Sequence, residues 1–282
     1  MKILLNTIYN LSIEEIKNSK IELNMTAGKG GQSHLDLWLC SDKEDKISGS
    51  TNCSYWGWYG NSRNFHPGQY VFSFVKLKED KWLFISAAKI IDVPENSRAN
   101  VSILDKYKPF FGRLIIEYKK GNTYGRYVFN LNKIIDDCTV VEILPVIYDG
   151  DEFNGYDNIS LPFNKLKNIF NGNIMPTYKQ ALEKITGIYC LTDTKNGKLY
   201  IGSASGEGGV MQRWGNYLDS KHGGNKKLIS LYKEKGEEYF EKYFVFTIIE
   251  YFGLSYDPEK LLRREDYWKR CLDTRKNGYN DN

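Results

Sequence analysis

The sequence predicts an α+β chain in two parts, a β-rich, barrel-like N-terminal domain followed by a small C-terminal α/β domain. Three observations predict it. The 282 residues exceed the usual size of a single domain. Residues 69–144 carry runs of β-branched and aromatic residues separated by Gly- and Asn-containing turns. From residue 162 onward the spacing of apolar residues becomes helical around one central hairpin. The expected divisions are 1–170 for the first domain, 171–185 for a linker helix and 186–282 for the second domain.

The elements follow in chain order. Gln69–Val75 and Trp82–Ser86 flank the charged turn Glu79-Asp80-Lys81 and read as a hairpin. Arg113–Tyr118 and Arg126–Leu131, on either side of Lys120-Gly121-Asn122, read as a second hairpin, and Val140–Leu144 adds a fifth strand. Strands this close together, with no helical run between them, predict a curled sheet or small barrel. Pro162–Phe170 has helical spacing and is stopped by Asn171-Gly172-Asn173; Pro176 then opens a short helix through Glu183. Asn196-Gly197 lies between two apolar runs, the pattern of a tight type I′ hairpin turn. That turn sets Gly187-Ile188-Tyr189 beside Tyr200-Ile201-Gly202, so two phenols come onto neighbouring strands. Helices are expected at 209–219, 225–235 and 258–272, with a strand at 243–250.

Composition narrows the functional classes. A net charge of +4 excludes a uniformly basic nucleic-acid coat, so phosphate contacts must come from local clusters among the 39 Lys and Arg residues. The five cysteines include no C-x-x-C pair, which argues against a zinc site or a disulfide framework and for reduced thiols in a cytoplasmic protein. Met1–Asn6 has no signal-like apolar core, and no run approaches the roughly 20 apolar residues of a membrane span.

Further residues complete a pattern around the hairpin. Arg213 follows in Met211-Gln212-Arg213-Trp214, Glu265 stands in Arg264-Glu265-Asp266-Tyr267-Trp268, and the chain closes on Gly278-Tyr279-Asn280. With the two triplets at this separation, residues 186–282 resemble the GIY-YIG nuclease family. The resemblance implies a small α/β domain that cuts phosphodiester bonds with one divalent cation, Mg2+ or Mn2+. It implies catalytic roles for Tyr189, Tyr200, Arg213, Glu265 and Asn280, with Glu265 as the metal ligand.

The residue types suit that chemistry. A guanidinium offers a fixed fork of donors that matches phosphate oxygens, which makes Arg213 a phosphate clamp. Leu261, Glu265, Trp268 and Leu272 recur on one helix face, placing the carboxylate among inward-packing residues. A buried carboxylate is costly unless it binds a metal or is paired, here with Arg213 or Lys269. Tyr189 is expected to activate or orient the water and Tyr200 to assist at the phosphate, although an unperturbed phenol, with a pKa of about 10, is a poor base; which tyrosine is the base stays open. Some relatives carry a lysine after the second triplet where this chain has Ser203-Ala204-Ser205-Gly206. His222 is expected to serve as a substitute proton relay, or else is a solvated loop residue. Lys226 and Lys227 read as phosphate contacts or as a solvated helix face.

In the first domain, Trp56, Trp58, Tyr59 and Arg63 interleave aromatics with Gly, Asn and charge, a composition that either stacks on an exposed base or fills a β core. The expected function is a Mg2+-dependent DNA endonuclease of restriction or antiphage-defence type, with target choice in the N-terminal domain. A homing or repair endonuclease, or a non-catalytic nucleic-acid-binding protein with the same fold, are the alternatives. The expected partner is double-stranded DNA, with a homodimer for cutting both strands and no membrane.

Overall fold

A computed structural model of the chain describes residues 2–25, 33–51, 65–94, 98–121 and 128–281. The chain divides into two compact units, Met1–Tyr148 and Asp149–Asn282. No helix among the described residues is long and apolar enough to cross a membrane.

The first unit runs β1 (Ile3–Leu4), α1 (Leu5–Tyr9), α2 (Ile13–Lys17), β2 (Ser19–Asn24), α3 (His34–Leu39), α4 (Lys43–Ser48), β3 (Tyr70–Lys76), β4 (Lys81–Asp92), β5 (Asn100–Ile103), β6 (Leu114–Glu117), β7 (Val128–Asn130) and β8 (Thr139–Ile143). Its strands form one sheet in the order β1-β8-β6-β4-β3-β2-β7, with β5 also on β4. Only β2 and β3 are parallel. The unit is sheet-rich as expected, but the sheet is open among the described residues. Its end strands, β1 and β7, are two and three residues long and each pairs on one side only, with β8 and β2 respectively. Strands so short offer too few ladder bonds to close a barrel.

The hairpin of β3 and β4 forms, with a bulge after Ser73. The expected second hairpin does not: β6 inserts between β4 and β8, and β7 pairs with β2. Alternating side chains tell which face of a strand is buried but not which strand lies beside it. The two ladders bring Ile116 beside Trp82 and Phe129 beside Ile21. One sheet face carries the main core of Ile21, Leu23, Phe72, Phe74, Trp82 and Phe84. Tyr9, at the end of α1, stacks on Phe72 at 4.6 Å.

The second unit runs β9 (Ser160–Pro162), α5 (Phe163–Phe170), α6 (Pro176–Leu182), β10 (Ile185–Asp193), β11 (Leu199–Ala204), α7 (Gly209–Ser220), α8 (Lys226–Lys235), α9 (Glu237–Tyr243), β12 (Phe244–Gly253), α10 (Pro258–Cys271) and α11 (Thr274–Asn277). Its four strands are antiparallel in the order β11-β10-β12-β9, which leaves β11 outermost. Strand β9 pairs with β12, so residues 160–162 belong to this sheet although the sequence reading put them in the first domain. Helix α7 covers one face, where Trp214 packs edge-on to Tyr189 and Phe246. Helix α10 covers the other, where Leu261 packs with Ile188, Cys190 and Ile201.

Two local expectations need correction. The hairpin turn is not type I′, because Gly197 has a φ of +77° and Asn196 is not in the left-handed region. The loop is longer and winds around Asp193, a buried carboxylate that accepts from the Lys195 amide at 3.0 Å, the Tyr239 hydroxyl at 2.9 Å and the Tyr279 hydroxyl at 2.7 Å. On α10, Leu272 is 39% exposed because the helix ends at Cys271, and Lys269 takes the buried position instead.

Candidate active site

The site begins with the pairing of β10 and β11. Tyr189 faces Gly202 across the ladder, and Leu191 faces Tyr200, so the two tyrosines share the sheet face that α7 covers. Gly202 makes that arrangement possible. A Cβ at residue 202 would lie 2.6 Å from Tyr189 Cζ, so only glycine leaves room for the ring. Gly187 serves the other side of β10, where a Cβ would overlap the Glu250 carbonyl of β12.

Helix α7 then supplies Arg213 and, one turn on, Tyr217. Arg213 Nε donates to the Tyr189 hydroxyl at 3.1 Å and its Nη2 to the Tyr217 hydroxyl at 3.4 Å. The two hydroxyls are 3.2 Å apart, and the guanidinium lies 5.2 Å from the Tyr217 ring centre. Tyr200 approaches the same ring at 6.0 Å, but its hydroxyl takes no part in these bonds. Burial pushes the Tyr189 phenol well above its ordinary value, and the neighbouring Tyr200 adds to this; Arg213 and the hydrogen bonds offset only part. Tyr217 is raised for the same reason, burial first. Tyr189 is therefore a neutral, enclosed hydroxyl whose oxygen holds Arg213 in place. Sequence reasoning missed Tyr217, although its position four residues after Arg213 was a signal that could have found it.

Glu265 sits across the sheet from this cluster. The Ser203 hydroxyl donates to one carboxylate oxygen, and Lys269 Nζ lies 2.8 Å from the other. Ser203 shares the strand face of Ile201, which α10 covers. The rotation of α10 is fixed by Glu250 on β12, which accepts from Arg264 Nε at 2.8 Å and from the Trp268 indole at 3.0 Å. The structure thus brings Tyr189, Tyr200 and Arg213 together on one face of β11 and places Glu265 on the other. Because β11 is the outermost strand, the two sets flank one edge of the sheet.

The closing Gly-Tyr-Asn runs along that edge. The Tyr279 amide donates to the Leu199 carbonyl at 2.8 Å, and the Asn280 side chain accepts from Ile201 N–H at 2.9 Å while donating to Ile201 C=O at 2.8 Å. Asn280 replaces a strand partner, with its side-chain acceptor and a donor both engaged by backbone. Gly278 allows the close approach, since a Cβ there would overlap the Leu199 carbonyl. Lys227 holds the segment by donating to the carbonyls of Arg275 at 2.8 Å, Gly278 at 3.3 Å and Asn280 at 2.7 Å. Its ammonium is thereby directed at the protein, while Lys226 beside it is exposed. His222 accepts from the Gly224 amide at 3.1 Å and packs edge-on to Tyr232, so it is tied to its own loop and to α8 rather than to the tyrosine cluster. Trp56, Trp58, Tyr59 and Arg63 lie outside the described residues.

The donor set was tested for a metal. No group of three or more His, Cys, Asp or Glu side chains that could cage an ion occurs among the described residues. Mg2+ does not require one, since it keeps several waters and takes one or two carboxylates plus substrate phosphate. Glu265 has a side chain 14% exposed with a hydroxyl beside it, a donor set that fits such an ion. The Lys269 ammonium competes for the same carboxylate.

Comparisons with known proteins agree with this geometry. Residues 185–280 match the GIY-YIG catalytic domain. Two solved structures are similar to about a third of the chain. The catalytic domain of the homing endonuclease I-TevI is 28% identical, with a TM-score of 0.27, over 34% of this chain and 96% of that one. A mutant form of the catalytic domain of intron endonuclease I-TevI is 27% identical, with a TM-score of 0.29, over 35% of this chain and 94% of that one. No curated protein matches the sequence. Residues 185–280 are a GIY-YIG catalytic domain, and through it the chain is an endonuclease.

Proposed function

We propose that this chain is a Mg2+-dependent DNA endonuclease of restriction or defence type, whose N-terminal unit selects the target. The observation that carries the catalytic part is Arg213, held by the buried Tyr189 hydroxyl beside the outermost strand, with Glu265 on that strand's other face. Glu265 would hold the cation, which when bound neutralises phosphoryl charge and assists the departing alkoxide. Arg213 clamps the scissile phosphate with its planar donors. Tyr189, neutral and enclosed, positions that guanidinium. Tyr200, whose hydroxyl is free of the Arg213 cluster, is the tyrosine left to take the proton from the attacking water. Asn280 and Lys227 hold the edge segment against β11 and act as positioning residues.

The N-terminal unit supports the reader role by its independent core and sheet, large enough to carry a recognition surface that a nuclease of about one hundred residues has little room for. One active site cuts one strand per encounter, so duplex cleavage requires either a dimer or two successive nicks. Incubating the protein and Mg2+ with plasmid, single-stranded and base-modified phage DNA tests the reading. Cleavage restricted to one sequence or one modification supports restriction; equal cleavage of all duplexes contradicts a target-selecting first unit.

A further inference from the structure

The first unit has a second, polar sheet face that the nuclease chemistry does not use. Glu22 on β2, Ser73 on β3 and Ser86 on β4 stand side by side in the ladder, and the Ser73 hydroxyl donates to Glu22 Oε2. Ser86 Oγ donates to the Gly49 carbonyl at 2.7 Å, which brings the residues after α4 onto this face. Asn24, two residues beyond Glu22, points to the same side of β2. Glu22 is 1% exposed, Asn24 3% and Thr51, two residues after Gly49, 3%. Each of them has a polar atom with no hydrogen-bond partner: Glu22 Oε1, Asn24 Nδ2 and Thr51 Oγ1. The indole N–H of Trp38, on α3 packed against β3, is also unpartnered.

Buried polar atoms in native folds are nearly always satisfied, so several unmatched ones in one region mark a place where another molecule completes the bonding. Their chemistry is specific. A carboxyl oxygen accepts, an amide nitrogen donates and a hydroxyl does either. Burial raises the Glu22 carboxyl to about 7, against the partial relief given by Ser73 and Asn24, so the group can present a donor or an acceptor near neutrality. A planar heterocycle with adjacent donor and acceptor atoms on one edge complements such a set. In a chain that cuts DNA, that description fits a base. A base can reach buried groups only after leaving its stack.

We propose that Glu22, Asn24 and Thr51 form a pocket in the first unit that binds one nucleobase everted from DNA. This rests on the reading of the first unit as the target reader and names the chemistry by which it reads. The pocket is distinct from the Tyr189–Arg213 site.

The test is calorimetric titration of the full chain in the Glu265→Ala background, without Mg2+, so that binding is read independently of cleavage. The probes are short duplexes with one unpaired base of each type and a fully paired control. The unpaired-base duplexes are expected to bind more tightly than the control, with a preference for one base. Glu22→Gln, Asn24→Asp and Thr51→Val should each reduce that preference by about tenfold or more, as expected when a buried polar group loses its match. The three changes preserve side-chain shape, and an unchanged melting temperature shows that each variant is folded. Identical binding of wild type and folded variants overturns the pocket, as does a crystal structure with the preferred duplex in which only water meets Glu22 Oε1 and Asn24 Nδ2. Plasmid cleavage by the chain with native Glu265, measured in parallel, separates failure of the pocket from failure of the nuclease reading.

Discussion

Tyr189→Phe removes one oxygen atom from the site while leaving the buried ring in place, and it separates positioning from proton transfer. That oxygen accepts from Arg213 Nε at 3.1 Å and lies 3.2 Å from the Tyr217 hydroxyl. A hydrogen bond to a charged group contributes about 1.5–3 kcal/mol, and each 1.4 kcal/mol or so is tenfold in rate. If the bond serves to aim Arg213, the cleavage step should slow by about 10- to 150-fold with the shape of its pH profile retained. Burial keeps the Tyr189 phenol protonated well above its ordinary range, so its ionisation cannot produce a limb of that profile near neutrality. Tyr200→Phe, by contrast, removes the proposed proton acceptor and should cost a further factor of about a hundred and flatten the alkaline limb. The assay is single-turnover nicking of supercoiled plasmid between about pH 6 and pH 9, a range below the ordinary phenol pKa. A Tyr189→Phe enzyme that loses its pH dependence while Tyr200→Phe keeps it would reverse the two roles.

Other perturbations test the scaffold. Asn280→Ala strips the partner from Ile201 N–H and C=O on a buried strand, at about 1–3 kcal/mol for each unmatched group, so the urea midpoint of the second unit should fall markedly. Asn280→Asp retains the acceptor and should lose about half as much; an unchanged midpoint in both would contradict the edge-strand role. Gly202→Ala drives a methyl into the Tyr189 ring and should cost about 1–3 kcal/mol together with activity, measured by melting temperature and nicking rate. Glu22 supplies a pH test with a definite sign. Its folded pKa, about 7, stands above the ordinary 4.5, so its contribution is complete below pH 4.5 and is lost as pH rises through 7. Unfolding free energy of the first unit should decline by about 3 kcal/mol across that window relative to Glu22→Gln, and parallel curves for the two proteins would contradict the burial of that carboxyl.

The hairpin at the heart of the site was legible because its signals are local. Two apolar runs and an Asn-Gly turn lie within sixteen residues, and Tyr189 and Tyr200 follow from strand periodicity. The turn type was not, because Asp193 folds the loop around its own buried carboxylate, a contact made with Tyr239 and Tyr279 far along the chain. Glu265 lies on the inward side of its helix, as spacing predicts, but the end of that side shifts from Leu272 to Lys269 where the helix stops. The position of Asn280 as a surrogate strand partner depends on which strand is outermost, and sheet order is invisible to local pattern. The same limit explains β6 and β7, each recognisable as a strand but not as partners of β4, β8 and β2. The short helices α1 to α4 carry too few turns for periodicity to register.

The most direct measurement is nicking of supercoiled plasmid by wild type and Glu265→Ala, each with and without Mg2+. Cleavage by wild type with Mg2+, and none by the variant or by either protein without the ion, is the expected result. Metal-independent cutting, or equal cutting by Glu265→Ala, would contradict a phosphodiesterase built around that carboxylate.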